Sequence, residues 1–226
     1  MSLLGIIGGM GVHATAYFYE MLVQFQHVNT EQEYMDMLIF SKSSTPDRTA
    51  FITGQSCENP LMALKQSARV LADAGVSCIA MPCITAHFFY VDLAKSVDVH
   101  IINMMEETAR YAAAKGYTKI GLLATDGTLH GGLFHKVFAK YGIVVITPSK
   151  ESQAALMDII YGIKRGNSDG YIKLEDISNE LYKNGAEAVV LGCTELSLLV
   201  KGRAHNYIDA LAVLAKASLR FASMNK

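Results

Sequence analysis

Two cysteines stand at the ends of short apolar runs, and each is followed by a polar side chain suited to acid–base chemistry. Cys83 ends the run "SCIAMPC" and has His87 four positions further on, whereas Cys193 ends "AVVLGC" and has Glu195 two positions further on. A free thiol has a pKa of about 8.5, so thiol and thiolate are both accessible near neutral pH. A thiolate can remove a proton from a carbon atom while a thiol on the opposite side returns one. Such a pair predicts inversion of a stereocentre without a cofactor.

The neighbours of the two cysteines suit a substrate that carries a carboxylate. Thr85 and Thr194 supply hydroxyl groups at predicted strand-to-helix turns, where free backbone N–H groups bind carboxylates and lower the pKa of a thiol. Two thiols that lie close together titrate as a pair, so one thiol and one thiolate is the expected resting state. His87 and Glu195 are candidates for orienting or tuning these thiols. Local packing of the histidine and a favourable helix-dipole interaction of the glutamate explain them equally well.

The cysteine pattern argues against a disulfide framework and against a metal site. The four cysteines are Cys57, Cys78, Cys83 and Cys193. They form no CxxC pair and no zinc-type spacing with histidine. In a chain without an export signal, we expect free thiols and no bound metal.

Composition narrows the classes of partner. The chain has 226 residues, of which 51% are apolar and 18% charged, and its formal net charge is −1. This composition excludes a disordered chain, and the scattered Lys and Arg residues give no reason to expect nucleic acid or an anionic membrane. No apolar run approaches the roughly 18 residues of a membrane span, and the initial "LLGII" is too short for a signal-peptide core. We expect a soluble, cytoplasmic protein.

Apolar runs alternate with amphipathic segments along the chain, which is typical of an α/β fold. The runs are too apolar to alternate between polar and apolar faces, as is expected of parallel strands covered on both sides. The predicted strands are "LLGIIG", "MLIF", "SCIAM", "VHIINM", "KIGLLAT", "VVIT" and "AVVLG". The predicted helices are roughly 14–28, 58–74, 104–115, 130–141, 151–165, 171–184 and 206–223.

The order of these elements is repeated within the chain. The segment from Leu4 matches the segment from Ile120 at a constant offset, and "LKQSARVLADAGVSCIAMPC" matches "LEDISNELYKNGAEAVVLGC" without a gap. In both copies of the second pair, a cysteine comes eight residues after the glycine that suits a helix C-cap, Gly75 or Gly185. This repetition favours a duplication over a coincidence of common αβ units.

A duplication predicts two pseudo-symmetric parallel-sheet α/β domains with the active site in the cleft between them. The first domain is expected to comprise residues 1–103 with a C-terminal helix at about 206–226, and the second residues 104–205. Open α/β sheets bind ligands at the carboxyl ends of their strands. Cys83 and Cys193 would then face each other across one cleft.

Five motifs together resemble the aspartate/glutamate racemase family. They are "GGMG" after the first strand, "PDRT" at 46–49, "PCxTAH" at 82–87, "GLLATDGT" at 121–128 and "LGCTEL" at 191–196. The resemblance implies a cofactor-independent isomerase acting on an amino acid, commonly a homodimer, with Cys83 and Cys193 as the proton-transfer residues. It also implies a substrate-binding set made up of Met10, Arg48, Ile84, Thr85, Thr125, Lys164 and Thr194. A forked guanidinium suits a substrate carboxylate, and "SSTPDRT" is expected to be a loop that carries Arg48 to the cleft. Without the resemblance, Arg48 and Lys164 would be interpreted as an ordinary surface arginine and a helix C-terminal cation.

Ile84 departs from the family, because the usual box is Cys-Asn-Thr. An isoleucine cannot offer the amide that this asparagine presents to the substrate, so the identity of the amino acid becomes the open question. Maleate isomerases and arylmalonate decarboxylases have similar scaffolds and remain alternatives, as does a non-catalytic protein that binds small carboxylates. A dinucleotide site is a weaker alternative. "GMGVHA" at 9–14 fits the glycine pattern, but Ser41 and Lys42 stand where the ribose-binding acid belongs.

Overall fold

The computed structural model describes residues 2–167, 169–203 and 206–224. It contains two four-stranded sheets in which every strand pair is parallel. The first sheet has the order β2-β1-β3-β4 and comprises β1 (Leu3–Gly8), β2 (Asp36–Ser41), β3 (Cys78–Ala80) and β4 (His100–Ile101). The second has the order β6-β5-β7-β8 and comprises β5 (Lys119–Ala124), β6 (Val144–Ile146), β7 (Ala188–Gly192) and β8 (Tyr207–Asp209). The predicted fold class is confirmed.

Helices connect the strands and cover the sheets. The first half contains α1 (Val12–Gln24), α2 (Arg48–Ile52), α3 (Leu61–Asp73), α4 (Tyr90–Ala94) and α5 (Met104–Ala114). The second contains α6 (Asp126–His130), α7 (Leu133–Ala139), α8 (Lys150–Lys164), α9 (Tyr171–Lys183), α10 (Thr194–Leu199) and α11 (Ala210–Met224). Two short 3-10 turns lie at Glu31–Glu33 and Thr85–Phe89. The inner strands β3 and β7 are completely buried, as expected for strands covered on both faces.

Two of the predicted helices differ from the observed elements. The helix expected over 130–141 is split into α6 and α7, because Gly132 has a left-handed φ of 59° and interrupts the helical path. The helix expected from 206 begins at Ala210, since the preceding residues form β8 and pair with β7. Strand β8 therefore belongs to the second sheet, whereas α11 packs against α1, α5 and β3. The predicted division into two domains at given residues stays a prediction.

The two halves repeat each other residue by residue. Helices α3 and α9 have the same length at an offset of 110 residues, and Gly75 and Gly185, which follow them, have φ values of +78° and +94°. Side chains are seldom tolerated at such angles, so both copies use glycine to end the helix. Strands β1 and β5 correspond at an offset of 116 residues. The duplication inferred from the sequence is therefore present in the fold.

A shared apolar core joins the halves. One cluster of buried side chains includes Phe18 of α1, Phe134 of α7, residues of β1 and β5, and much of α11. Two smaller clusters lie within the individual halves, and each contains one of the two cysteines at the end of a strand: Cys83 in the first and Cys193 in the second. Within the described ranges, no helix is both long enough and apolar enough to cross a membrane.

Candidate active site

The two cysteines occupy equivalent places in the two halves. Cys83 follows β3 and Cys193 follows β7, so each lies at the carboxyl end of an inner strand. Their separation of 110 residues equals the offset between α3 and α9. Each is only 5% exposed and carries a free thiol. The fold thus brings both to the side of the sheets where α/β proteins bind ligands.

Cys193 is held by a carboxylate. Its Sγ donates a hydrogen bond to Oε2 of Glu195 at 3.0 Å, and the hydroxyl of Thr194 donates to the same oxygen at 3.3 Å. Burial raises the pKa of the Cys193 thiol well above its ordinary value; the charge of Glu195 raises it further, and the charge of Lys164 opposes them. Cys193 is therefore a protonated thiol at rest, with an acceptor for its proton in direct contact.

Lys164 provides a cation that both thiols share. Its Nζ lies 3.9 Å from Oε1 of Glu195, at the C-terminal end of α8. Burial tends to lower the pKa of Lys164, but the charges of Glu195, Cys193 and Cys83 together outweigh that effect and raise it. The lysine is thus protonated, and its charge stabilises a thiolate at either cysteine.

Arg48 is buried and aimed at the same region. It begins α2 rather than lying in the predicted loop, because Asp47 caps that helix by accepting the N–H of Ala50 at 2.8 Å. The guanidinium donates to three backbone carbonyls, those of Thr45, Pro46 and Met10. Its Nε has no hydrogen-bond partner among the described residues, although it is buried.

A buried donor without a partner is costly in a folded protein, so its place calls for a ligand or solvent acceptor. Counting hydrogens, the three bonds of Arg48 leave Nε–H and one N–H of Nη2. These two donors can face the two oxygens of a carboxylate. Glu195 presents the opposite feature, since its Oε1 is buried and likewise lacks a hydrogen-bond donor within the described part of the chain.

These groups border a cavity of about 400 Å³. The cavity is lined by Gly9, Met10, Gly11, Val12, His13, Ala14, Ser43, Thr45, Asp47, Arg48, Ile163, Lys164 and Glu195. It therefore includes four of the residues predicted for the site, and the two cysteines lie beneath its wall rather than on it. Residues from α1, α2 and α8 meet here, so both halves contribute.

The glycines of "GGMG" serve protein contacts. A Cβ at Gly11 would lie 2.7 Å from Oε1 of Glu195, and one at Gly9 would lie 2.5 Å from the backbone of Lys42. A carboxylate thus occupies the space above Gly11 that a pyrophosphate would take in a dinucleotide site. Gly127 is the counterpart of Gly11 at the 116-residue offset, and a Cβ there would lie 2.9 Å from Cα of Thr49. Both glycines allow the opposite half to approach closely.

Three predicted site residues form contacts that join the halves instead of lining the cavity. The hydroxyl of Thr85 lies 2.9 Å from that of Thr125 and 3.1 Å from that of Thr128. Thr85 is the counterpart of Glu195 at the 110-residue offset, so one half has a hydroxyl where the other has a carboxylate. Thr194, the third, contacts Glu195. Thr128 was missed from the sequence, although its position three residues after the helix cap Thr125 was available there.

His87 and Ile84 are structural neighbours of Cys83. His87 is 1% exposed; its Nε2 accepts the backbone N–H of Met104 at 3.1 Å, so Nδ1 carries the proton and donates to the carbonyl of Cys83 at 2.9 Å. Burial lowers the pKa of His87, and both hydrogen bonds suit the neutral ring. It orients the backbone of Cys83 and does not reach its thiol. Ile84 is 3% exposed and belongs to the shared core cluster.

Within residues 2–167, 169–203 and 206–224, no three His, Cys, Asp or Glu side chains are close enough together to hold a metal ion. Asp47 was not singled out from the sequence, yet its carboxylate both caps α2 and lines the cavity. The signal was present, because an aspartate three residues before the acceptor of its cap is a common helix start.

The chain resembles known proteins over its full length. The sequence profile of the Asp/Glu/Hydantoin racemase family matches residues 7–217. The broad specificity amino-acid racemase RacX of Bacillus subtilis (strain 168) is 26% identical over 226 residues, which cover 96% of each protein. The glutamate racemase of Deinococcus radiodurans is 27% identical over 159 residues, covering 66% of this chain and 53% of that protein.

Among solved structures, the aspartate racemase of Picrophilus torridus matches with a TM-score of 0.88 at 26% identity, covering 99% of this chain and 95% of the other. The matches extend through both sheets and confirm the resemblance inferred from the five motifs. The chain belongs to the Asp/Glu/Hydantoin racemase family, whose activity makes it an isomerase acting on amino acids.

Proposed function

We propose that the chain is a cofactor-independent amino-acid racemase or epimerase in which Cys83 and Cys193 act as the two acid–base groups. One observation carries this proposal. Two cysteines at equivalent strand ends of duplicated halves both act on the charge of a single buried lysine, Lys164, at the wall of one cavity. A duplicated pair around one centre suits a reaction whose two directions are mirror images of each other.

Arg48 is the proposed anchor of the substrate's α-carboxylate. Its unused Nε–H and remaining Nη2 donor match the two carboxylate oxygens, and the residue is held rigidly by three backbone carbonyls. Oxygen Oε1 of Glu195 is the matching acceptor for the α-ammonium group. Binding at both groups would fix the α-carbon and its hydrogen relative to the thiols.

The proton transfers then balance in either direction. One cysteine, as thiolate, takes the proton from the α-carbon and becomes a thiol, leaving the electron pair on carbon. The other cysteine, as thiol, gives its proton to the opposite face and becomes a thiolate. The positive charges of Lys164 and Arg48 stabilise the negative charge that develops in between. The raised pKa of Cys193 makes it the proton donor of the resting enzyme. Turnover from the other enantiomer requires it to lose its proton first, and Glu195 is the contact able to accept it.

The experiment is α-proton exchange and racemisation in deuterium oxide, with Cys83→Ser and Cys193→Ser compared with Cys57→Ser. Cys57 is exposed and remote from the pair, so its variant controls for the loss of a thiol as such. We expect each active-site variant to lose racemisation in both directions by a factor of about 1,000 or more, because each direction needs one acid and one base. Near wild-type racemisation by either variant would contradict the two-base mechanism.

The same measurement separates the remaining alternatives. A protein that only binds small carboxylates would bind amino acids without exchanging the α-proton. A maleate isomerase or a decarboxylase of similar scaffold would act on an unsaturated or malonate-type acid and leave amino acids unchanged. Assembly as a homodimer is a further proposal that light scattering of the purified protein would test.

A further inference from the structure

The cavity continues into a smaller annex that the proposed proton transfers do not use. The annex has a volume of about 190 Å³ and is lined by His13, Ile163, Gly166, Asn167, Leu198 and Leu199. His13 and Ile163 also line the main cavity, so the two spaces adjoin. A single water needs about 10–15 Å³ of such space, and the annex is therefore large enough for a side chain.

The helices that supply the reactive groups also supply the annex. Ile163 precedes Lys164 at the end of α8, and Leu198 lies three residues after Glu195 on α10. The annex is thus one helical step from the charged groups at the wall of the cavity. A substrate whose α-carboxylate and α-ammonium occupy those groups would direct its side chain along Ile163 towards Leu198 and Leu199.

The charges of the two spaces differ. The main cavity is lined by two cations, Arg48 and Lys164, and by two carboxylates, Asp47 and Glu195. An α-amino-carboxylate group, with one charge of each sign, leaves this set balanced. No lysine, arginine, aspartate or glutamate of the described chain lines the annex. A side-chain carboxylate entering it would lose water without gaining a cation, whereas an apolar side chain would gain from burial.

We propose that the substrate is an α-amino acid with an uncharged, mainly apolar side chain, of the size of leucine, methionine or phenylalanine, and that this side chain occupies the annex. The inference rests on the proposed racemase function. It accounts for the position of Ile84 as well, because a substrate without a second carboxylate does not require the amide that the family box supplies.

The first test compares kcat/KM for racemisation of methionine, leucine and phenylalanine with that of aspartate, glutamate, lysine and arginine. We expect about a tenfold or greater preference for the apolar group, as is usual for one or two well-buried methylene groups. A preference for the acidic or the basic amino acids would overturn the assignment of the annex while leaving the racemase proposal intact. Calorimetric binding of the same amino acids separates the two proposals: binding of methionine without α-proton exchange would contradict the racemase function and support the annex.

The second test changes the annex itself. Leu198 is half-buried, so Leu198→Arg is expected to fold and to place a cation beside the side chain of the substrate. It should lower kcat/KM for methionine about tenfold and raise it for aspartate or glutamate, whereas Leu198→Met should keep the preference. Leu133→Arg, at a half-buried leucine of α7 that lines neither space, is the matched control. Equal changes in specificity for Leu198→Arg and Leu133→Arg would overturn the proposal.

Discussion

Ile84 follows Cys83 directly, at the position where the family box carries asparagine, and its surroundings are those of a core residue. It is 3% exposed and packs in the cluster that joins the two halves, which includes Ile102 and Met104. It does not line the cavity. Restoring the family residue would therefore place an amide among aliphatic side chains.

We predict that Ile84→Asn destabilises the protein by about 2–5 kcal/mol, because it removes a buried aliphatic side chain and leaves amide groups without partners. It should not increase racemisation of aspartate. Ile84→Val, which keeps the apolar character, should cost about 1 kcal/mol. Urea unfolding of the two variants and the wild type measures the difference. A stable Ile84→Asn protein with new aspartate activity would mean that this position faces the substrate after all.

At the residue scale, the sequence predicted residue types better than their partners. Cys83, Cys193 and Arg48 stand out because few other functions explain their types in those motifs. The roles of Thr85 and Glu195 could not be separated in the same way, since both simply follow a cysteine by two positions. Their difference arises from packing across the halves, where Thr85 meets two threonines and Glu195 meets Gly11. Such contacts depend on the tertiary structure and leave no local pattern.

At the scale of elements, the site depends on two glycines that let the halves approach. Gly11 begins α1 and faces the end of a flexible side chain, the carboxylate of Glu195. Gly127 lies within α6 and faces the backbone at Thr49. The same substitution at these equivalent positions should therefore have different consequences.

We predict that Gly11→Ala mainly impairs activity and that Gly127→Ala mainly impairs stability. The new methyl group at Gly11 displaces Glu195 from Cys193, and kcat/KM should fall about tenfold to a hundredfold, with a change of less than about 1 kcal/mol in the free energy of unfolding. At Gly127 the backbone of Thr49 cannot yield so easily, and overpacking should cost about 1–3 kcal/mol.

Gly162→Ala is the control for this pair, because it lies within α8 and its Cβ would meet nothing closer than 3.9 Å. It should leave activity unchanged and stabilise the helix by up to about 1 kcal/mol. Thermal unfolding and steady-state kinetics of the three variants provide both readouts. The idea of two different neighbours would be wrong if Gly11→Ala and Gly127→Ala lost stability and activity in the same proportion.

Long periodic elements were predictable from the sequence, and short ones were not. Strands β1 and β7 were predicted with their observed bounds, since an unbroken apolar run flanked by glycine leaves few alternatives. Helix α10 and strand β8 have only 6 and 3 residues and were missed. Elements of that length show no full period, and their formation depends on the sheet to which they attach.

At the scale of the whole molecule, the duplicated halves are joined by the shared core, by the threonine cluster and by His87. His87 connects the carbonyl of Cys83 to the N-terminus of α5, the helix that leads into the second half. It is buried as a neutral ring, and its lowered pKa means that protonation opposes folding. The link that orients one reactive cysteine is therefore also a point at which acid weakens the fold.

We predict that the free energy of unfolding falls as the pH is lowered below about 6.5, the ordinary pKa of histidine, because the unfolded chain binds a proton that the folded chain excludes. The contribution of His87 is complete above this pH and is lost towards its lower folded pKa, at up to about 1.4 kcal/mol per pH unit. His87→Gln should be less stable than the wild type at pH 7.5, since it breaks buried hydrogen bonds, and its stability should depend less on pH. Urea unfolding between pH 5.5 and 7.5 measures both slopes.

His27→Gln distinguishes this effect from the titration of the other histidines, because His27 is exposed. That variant should retain the wild-type slope, since an exposed imidazole takes up a proton in the folded and unfolded states alike. If the slopes of the wild type and His87→Gln were equal, protonation of His87 would not oppose folding. The connection between the Cys83 segment and α5 would then depend on apolar packing alone, and mild acid would leave the geometry of the two cysteines unchanged.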